Sequence, residues 1–177
     1  MMNDPSPLLT DLYRLKELAL EREAENDAFK DFLSAAGDSV DDQVISLHDA
    51  IAPRIDCLQC ANCCKSLLIH VEPPEAERLA QRLDLPLSDV YDRYLEKGSG
   101  GDALISAIPC HFLEGNRCSI YEDRFAGCRS FPHLDSPGFR RRLFATFQQY
   151  GRCPIVYNVL EQLKLITGFR APQNSVE

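Results

Sequence analysis

A dense run of cysteines between residues 57 and 64 limits what this chain can fold into more than any other feature. The run reads C-L-Q-C-A-N-C-C and contains Cys57, Cys60, Cys63 and Cys64. Two intervening residues let a tight turn aim two sulfur atoms at one point, about 2.3 Å from a shared zinc ion, which neighbouring side chains of a strand cannot do. The run therefore predicts a metal-ligand knuckle.

Four more cysteines, Cys110, Cys118, Cys128 and Cys153, complete a set of eight. A bridge between the adjacent Cys63 and Cys64 would need a strained ring, so a disulfide framework would require distant partners for both. The sequence shows no signal-peptide pattern and no apolar run long enough to span a bilayer, which predicts a cytoplasmic protein. Thiols stay reduced in that compartment, and we therefore expect metal ligands rather than disulfides.

Chain length limits the number of domains, and net charge limits the kinds of ligand that the protein can bind. A chain of 177 residues predicts one main domain, here a helical lead over residues 1–50 followed by a cysteine-cluster domain with a C-terminal helix over residues 51–177. The net charge of −8 argues against general nucleic-acid binding, which needs a basic footprint. The only dense basic run, Arg140-Arg141-Arg142, is interpreted as a solvated face.

The apolar periodicity predicts an α-rich α+β fold with short strands and hairpins around a polycysteine metal site. Helices are expected over residues 8–33, 44–55, 75–83 and 89–97 and from Pro154 onward, a short strand over 66–72, and a hairpin of 109–113 with 117–121. The stretch Gly98-Ser99-Gly100-Gly101 predicts a flexible connection. Residues 139–150 fit a helix and a strand equally well, and their pattern does not decide between the two.

Three sequence blocks carry a family resemblance. They are C-x2-C-x2-C-C from Cys57, P-C-x-F-L-x-G-x2-C-x-I-Y-E-x-R from Pro109, and C-R-x-F-P from Cys128. Together they resemble the bacterial cysteine-cluster family of the YkgJ type, described as zinc- or iron-chelating domains, with Cys153 as a further member. One position departs from the pattern, since Phe125 stands where that family usually has proline.

The resemblance implies metal chelation and leaves the metal open between zinc and an iron–sulfur cluster. All eight cysteines are candidate ligands, and they could supply two sites of four sulfurs each or a binuclear cluster with bridging sulfurs plus spare ligands. Arg124 and Arg129 are equally suited to offset the negative charge of thiolates. His70, His111 and His133 lie near cysteine blocks and are interpreted as ordinary polar residues or accessory donors.

Three functions remain compatible with these residues: a structural or interaction module with zinc, an iron–sulfur protein of electron transfer or protein modification, and a metal storage or delivery protein. The partner we expect is a metal ion, and no protein partner is indicated. No dinucleotide glycine fingerprint, radical CxxxCxxC motif or Ser-His-Asp order is present. The sequence therefore names no catalytic residue.

Overall fold

A computed structural model describes residues 7–37, 39–98 and 102–171 of the chain. Its α-helices, in chain order, are α1 (Leu12–Glu21), α2 (Glu23–Ala35), α3 (Ser39–Ile51), α4 (Cys57–Cys60), α5 (Asn62–Ser66), α6 (Pro73–Leu83), α7 (Leu87–Tyr94), α8 (Ala126–Ser130), α9 (Leu143–Gln148) and α10 (Pro154–Ile166). Its strands are β1 (His70–Val71), β2 (Leu95–Lys97), β3 (Ala103–Ile105), β4 (Leu113–Glu114) and β5 (Arg117–Cys118). The α-rich α+β class predicted from the sequence is confirmed.

The chain divides into two compact units. The helical unit takes its chain from Met1–Ile55 and Pro132–Glu177, and the cysteine unit is formed by Asp56–Phe131. The predicted division into residues 1–50 and 51–177 stays a prediction about domains.

The helical unit has its core between α3 and α10, which pack against each other. Val44 of α3 and Leu160 and Leu163 of α10 are completely buried. Proline stands at the first turn of α10, where its missing N–H costs nothing, and Gly168 adopts a φ of +68° just beyond the helix. The C-terminal helix predicted from Pro154 is therefore confirmed.

The prediction of one continuous helix over residues 8–33 is wrong in two places, because α1 begins only at Leu12 and the helix is interrupted at Arg22. Arg22 has φ −108° and ψ 18°, which ends α1 before α2 begins. The break redirects the chain, because α1 packs against α10 whereas α2 packs against α9. The guanidinium of Arg22 forms an ion pair with Glu161 of α10, which the amphipathic pattern of the first helix could not reveal.

The segment from residue 139 to 148 is helical, which settles the choice that its pattern left open. A 3-10 turn over Phe139–Arg142 leads directly into α9. Arg142 is not simply part of a solvated face, because its guanidinium donates to the carbonyl oxygens of His133 at 3.0 Å, Ser136 at 2.8 Å and Pro137 at 2.8 Å. This residue holds together the loop that precedes α9.

The cysteine unit contains an antiparallel sheet in the order β1-β3-β2, joined by α6 and α7. The helix predicted through residue 97 is wrong in its last three residues, because α7 ends at Tyr94. Leu95–Lys97 instead pairs with Ala103–Ile105, and Leu95 becomes buried opposite Ile105. Cross-strand hydrogen bonds thus replace the helical ones in this segment. The glycine-rich connection predicted at 98–101 lies outside the described residues except for Gly98.

The core of the cysteine unit packs α6 and α7 against the sheet. Its completely buried members include Val71, Ala76 and Val90, and Phe112 and Phe125 belong to the same cluster. Cys110, Cys118 and Cys128 are partly buried and pack against this cluster. Among the described residues, no helix combines the length and the apolar character needed to cross a membrane.

Candidate metal centre

The cysteine run folds into two short helices separated by one left-handed residue. The carboxylate of Asp56 caps α4 by accepting from the backbone N–H groups of Leu58 at 2.9 Å and Gln59 at 3.3 Å. Ala61 then adopts φ +48° and ψ 15°, and it is the residue between α4 and α5. A left-handed residue changes the chain direction in one step, so α4 and α5 can present their cysteines to a common centre.

The predicted hairpin forms and brings two further cysteines to the knuckle. β4 and β5 pair with Leu113 opposite Cys118, and Gly115 in the turn has a φ of +62°, which favours glycine. The strands are two residues long, shorter than expected. Just before β4, the backbone N–H of Cys110 donates to the carbonyl of Cys64 at 2.9 Å. The hairpin is thereby joined to α5 through the backbone of two cysteines.

The amide of Asn116 ties the tip of this hairpin to both knuckle helices. Its Nδ2 donates to the carbonyl oxygen of Gln59 at 2.8 Å, and its Oδ1 accepts from Lys65 Nζ at 2.6 Å. Both ends of one side chain are therefore used, which fixes the orientation of the amide.

A buried carboxylate positions α8, the helix that carries Cys128. Glu75 of α6 is only 6 % exposed, and its Oε1 accepts from the backbone N–H of Ala126 at 2.6 Å. Its Oε2 accepts from the N–H of Glu72 at 3.0 Å, which completes a capping box at the start of α6. One carboxylate thus satisfies the first turns of two helices at once.

These elements surround a cavity of about 70 Å³ within the cysteine unit. Six cysteines line it, namely Cys57, Cys63, Cys64, Cys110, Cys118 and Cys128. The rest of the lining is mostly apolar, with Leu67, Phe112 and Phe125 among its members. Three separate sequence blocks therefore deliver their thiols to one place.

Within this set, the Sγ atoms of Cys63 and Cys64 are 3.9 Å apart. Two sulfur atoms bound at about 2.3 Å to one tetrahedral zinc ion lie about 3.8 Å from each other. The vicinal pair therefore has the separation of two ligands on one ion. As they stand, no three His, Cys, Asp or Glu side chains of the described residues are grouped tightly enough to hold a metal ion.

The two remaining candidates are placed differently. Cys60, at the C-terminal end of α4, is partly buried and is not among the residues lining the cavity. Cys153 is buried in the helical unit at the N-cap of α10. All eight cysteines carry thiols rather than disulfides.

The family comparison concerns the segment that carries the cysteines. The model of a family described as "CxxCxxCC: Putative zinc- or iron-chelating domain" matches residues 56–154. The match covers more than half of the chain and contains all eight cysteines. This protein belongs to the CxxCxxCC family. Comparisons with curated proteins and with solved structures found no match.

The resemblance stated from the three sequence blocks is thereby confirmed for this CxxCxxCC protein. Phe125, which departs from the family pattern, is 3 % exposed and stands at the N-cap of α8. Its ring lies 6.4 Å from that of Phe112, centroid to centroid. The departure thus adds an aromatic side chain to the core beside the cavity.

Burial makes most of the cavity thiols of this CxxCxxCC protein poor acids. It raises the pKa of Cys110, of Cys118 and of Cys57 above the ordinary thiol value, and it raises the pKa of Cys128 to about 12. Neighbouring thiolates contribute in the same direction, because each negative charge disfavours the next. Protons therefore occupy these sulfurs until a cation replaces them.

Cys64 is the exception within the cavity. A hydrogen bond from the thiol of Cys63 lowers its pKa to about 6, although burial acts in the opposite direction. The positive charges of Arg124 and Lys65 lower it further. The pKa of Cys64 therefore lies below neutral pH.

The guanidinium of Arg124 is the positive charge that lines this cavity. It stacks on the ring of Tyr121, with 4.0 Å between Cζ and the ring centroid. Its Nε is buried and has no hydrogen-bond partner among the described residues. A buried N–H group without a partner in a thiol-lined cavity can donate to a negatively charged acceptor, such as a metal-bound thiolate.

The structure separates the two arginines that the sequence treats alike. Arg129 Nε donates to the carbonyl oxygen of Arg124 at 2.9 Å, and its Nη2 donates to that of Glu122. Its guanidinium thus fastens the backbone that presents Arg124, whereas the side chain of Arg124 itself lines the cavity.

The histidines near the cysteine blocks have other partners. Nε2 of His111 lies 2.9 Å from the hydroxyl of Ser106, and His70 lies 3.3 Å from Glu72 and 3.5 Å from Asp102. These contacts agree with the interpretation of both as ordinary polar residues. The sequence alone did not identify Glu75 or Asn116 as part of the site. The only sequence signals for them were local, namely a Glu-x-x-Glu capping pattern that includes Glu75 and a turn position for Asn116.

Proposed function

We propose that this CxxCxxCC protein binds zinc through thiolates of the cavity, and that the metal has a structural role. The observation that carries this proposal is the delivery of six thiols from three sequence blocks to one cavity. Tetrahedral sulfur coordination is the ordinary chemistry of structural zinc, and thiolates are soft ligands that suit it. The reducing interior of a cell is the compartment in which such thiols remain available.

The spacing of the vicinal thiols favours zinc as the metal. The number of cysteines does not separate the two alternatives, because four hold a common iron–sulfur cluster and four also hold a structural zinc ion. The 3.9 Å separation of the vicinal Sγ atoms is close to the edge of a zinc–sulfur tetrahedron. The orphan N–H of Arg124 supports an anionic metal–thiolate centre of either kind.

The elements that carry the cysteines explain why the role is structural. α4, α5 and α8 contain four or five residues, and β4 and β5 contain two each. Segments this short are unstable on their own, because helix and hairpin nucleation costs more than a few hydrogen bonds return. Binding of structural zinc can contribute roughly 10 kcal/mol, enough to order them.

Metal analysis of the full chain purified without oxygen tests the proposal. We expect bound zinc and no acid-labile sulfide in the same sample. Chelation should then accelerate amide hydrogen exchange throughout residues 56–131. The substitution C118S should lower the zinc content, whereas S119A in the same hairpin should not.

Two outcomes would contradict the proposal. A folded, metal-free protein in which every thiol titrates would show that no metal is bound. Iron together with equivalent sulfide would show an iron–sulfur protein instead.

A further inference from the structure

We infer that the cavity holds two divalent metal ions that share bridging thiolates, rather than one ion. This inference rests on the proposed function and specifies the composition of the same centre. It also selects between the two arrangements that the eight cysteines left open.

Ligand number is the first argument. One tetrahedral ion uses four thiolates, and two independent ions use eight. Two tetrahedral ions that share two sulfurs use six, a known zinc–cysteine stoichiometry. Six cysteines line the cavity, so the binuclear arrangement is the one that leaves no cavity thiol unused.

The burial of the thiols is the second argument. Cys110, Cys118 and Cys128 pack against the hydrophobic core of the cysteine unit, and they come from the two blocks that follow the knuckle. A single ion binds four of the six thiols, so two buried thiols would bind no metal. A second ion would bind these two sulfurs as well.

Charge is the third argument. Six thiolates and two divalent ions form a centre with two negative charges. One positive side chain, Arg124, lines the cavity, and the exposed Lys65 donates at 2.6 Å to Asn116, which also lines it. The net charge of the binuclear centre is therefore small enough to be offset by nearby positive side chains.

Cadmium substitution of the wild-type protein tests the inference without any variant. The full chain is loaded with ¹¹³Cd, and the metal-to-protein ratio is measured by native mass spectrometry. We expect two cadmium ions per chain and two ¹¹³Cd resonances that split each other through shared sulfur. One ion per chain, or two resonances without mutual splitting, would overturn the inference but leave the proposed function intact. An absence of bound metal would overturn both.

Cysteine variants test the assignment of the six ligands. C60S and C153S should each keep two ions, since neither residue lines the cavity. C63S and C128S should each bind fewer than two. Loss of an ion from C60S or C153S would overturn the six-thiol centre, and so would retention of two ions by both C63S and C128S. Circular dichroism of each variant identifies any that has simply failed to fold, and for such a variant the wild-type cadmium spectrum decides the question.

Discussion

The guanidinium of Arg124 shows how one side chain can adjust a thiol cavity without being a ligand. It contributes a permanent positive charge and a buried N–H with no hydrogen-bond partner among the described residues. Hydrogen bonds to ligating sulfur stabilise the thiolate and hold it in position. Its stacking on Tyr121 keeps the guanidinium in place before any metal arrives.

Replacing Arg124 with methionine keeps the length of the side chain and removes its charge. We expect R124M to weaken zinc binding about 10- to 100-fold, the usual effect of losing a group that supports a ligand. Competition with a chromophoric chelator measures the change. R117M is the matched control, because Arg117 is exposed in β5 and does not line the cavity. Equal affinities for both variants would show that Arg124 has no role at the centre.

At the scale of elements, short pieces of secondary structure are joined by single polar side chains. Asn116 ties the hairpin to α4 and α5, and Glu75 ties α8 to α6. Each side chain uses both of its polar ends in hydrogen bonds to the elements that it joins. Packing alone could not hold elements of two to five residues in this way.

The contact between α6 and α8 gives a prediction for Glu75. Both of its oxygens accept from backbone N–H groups. A glutamine side chain would place its own NH2 group opposite one of these N–H groups, and two donors cannot hydrogen-bond to each other. We expect E75Q to reduce the free energy of unfolding by about 1–3 kcal/mol. It should also lower metal affinity, because α8 carries Cys128. Denaturant unfolding and chelator competition measure the two effects.

The control for this variant is E77Q, since Glu77 is exposed on the same helix. It should behave like the wild type in both measurements. An E75Q protein that is as stable as E77Q would show that the carboxylate is not needed to hold α8.

In the helical unit, the turn before α10 is packed directly against α1. A Cβ atom added to Gly151 would lie 2.7 Å from the Cβ of Ala19, too close for two carbon atoms. We expect G151A to destabilise the protein by about 1–3 kcal/mol through overpacking. Thermal unfolding measures the loss.

Two further variants make this prediction specific. A19G removes the opposing methyl group and costs about 1 kcal/mol in helix propensity, so the double variant A19G/G151A should be more stable than the two separate losses would imply. G37A should be nearly neutral, because an added Cβ there meets nothing within 4 Å. Strict additivity of A19G and G151A would contradict the close contact.

At the scale of the whole molecule, folding and metal binding are coupled through protons. Burial raises the pKa of Cys57, Cys110 and Cys118, and it raises that of Cys128 to about 12. Below these pKa values the thiols are protonated, and a metal ion must displace a proton from each one that it binds. Metal affinity therefore rises with pH in the neutral range and falls on acidification. Cys64 adds to this dependence only near and below its pKa of about 6.

This coupling predicts the pH profile of binding. We expect the apparent zinc affinity to rise at least about tenfold per pH unit between roughly pH 6.5 and 8.5, since several thiols lose protons together. Chelator competition at a series of pH values measures the slope, which equals the number of protons released. A flat profile would show that the metal binds without deprotonating these thiols.

The sequence by itself determined the family of this protein and most of its local elements. The spacing of Cys57, Cys60, Cys63 and Cys64 predicted the knuckle, and a start signal at Pro154 predicted α10, because these properties depend on residues that are close along the chain. Where a long-range contact competes, as at Arg22 or after Tyr94, the local pattern predicted the wrong boundary.

Only the tertiary structure decided which of the eight cysteines share a cavity, since that depends on how distant segments pack. It placed six thiols together and left Cys60 and Cys153 off the lining. It also separated Arg124 from Arg129, which are indistinguishable by residue type and neighbourhood. The role of Glu75 in positioning α8 depends on its hydrogen bond to Ala126, 51 positions away. The pattern of neighbouring side chains cannot predict such a distant contact.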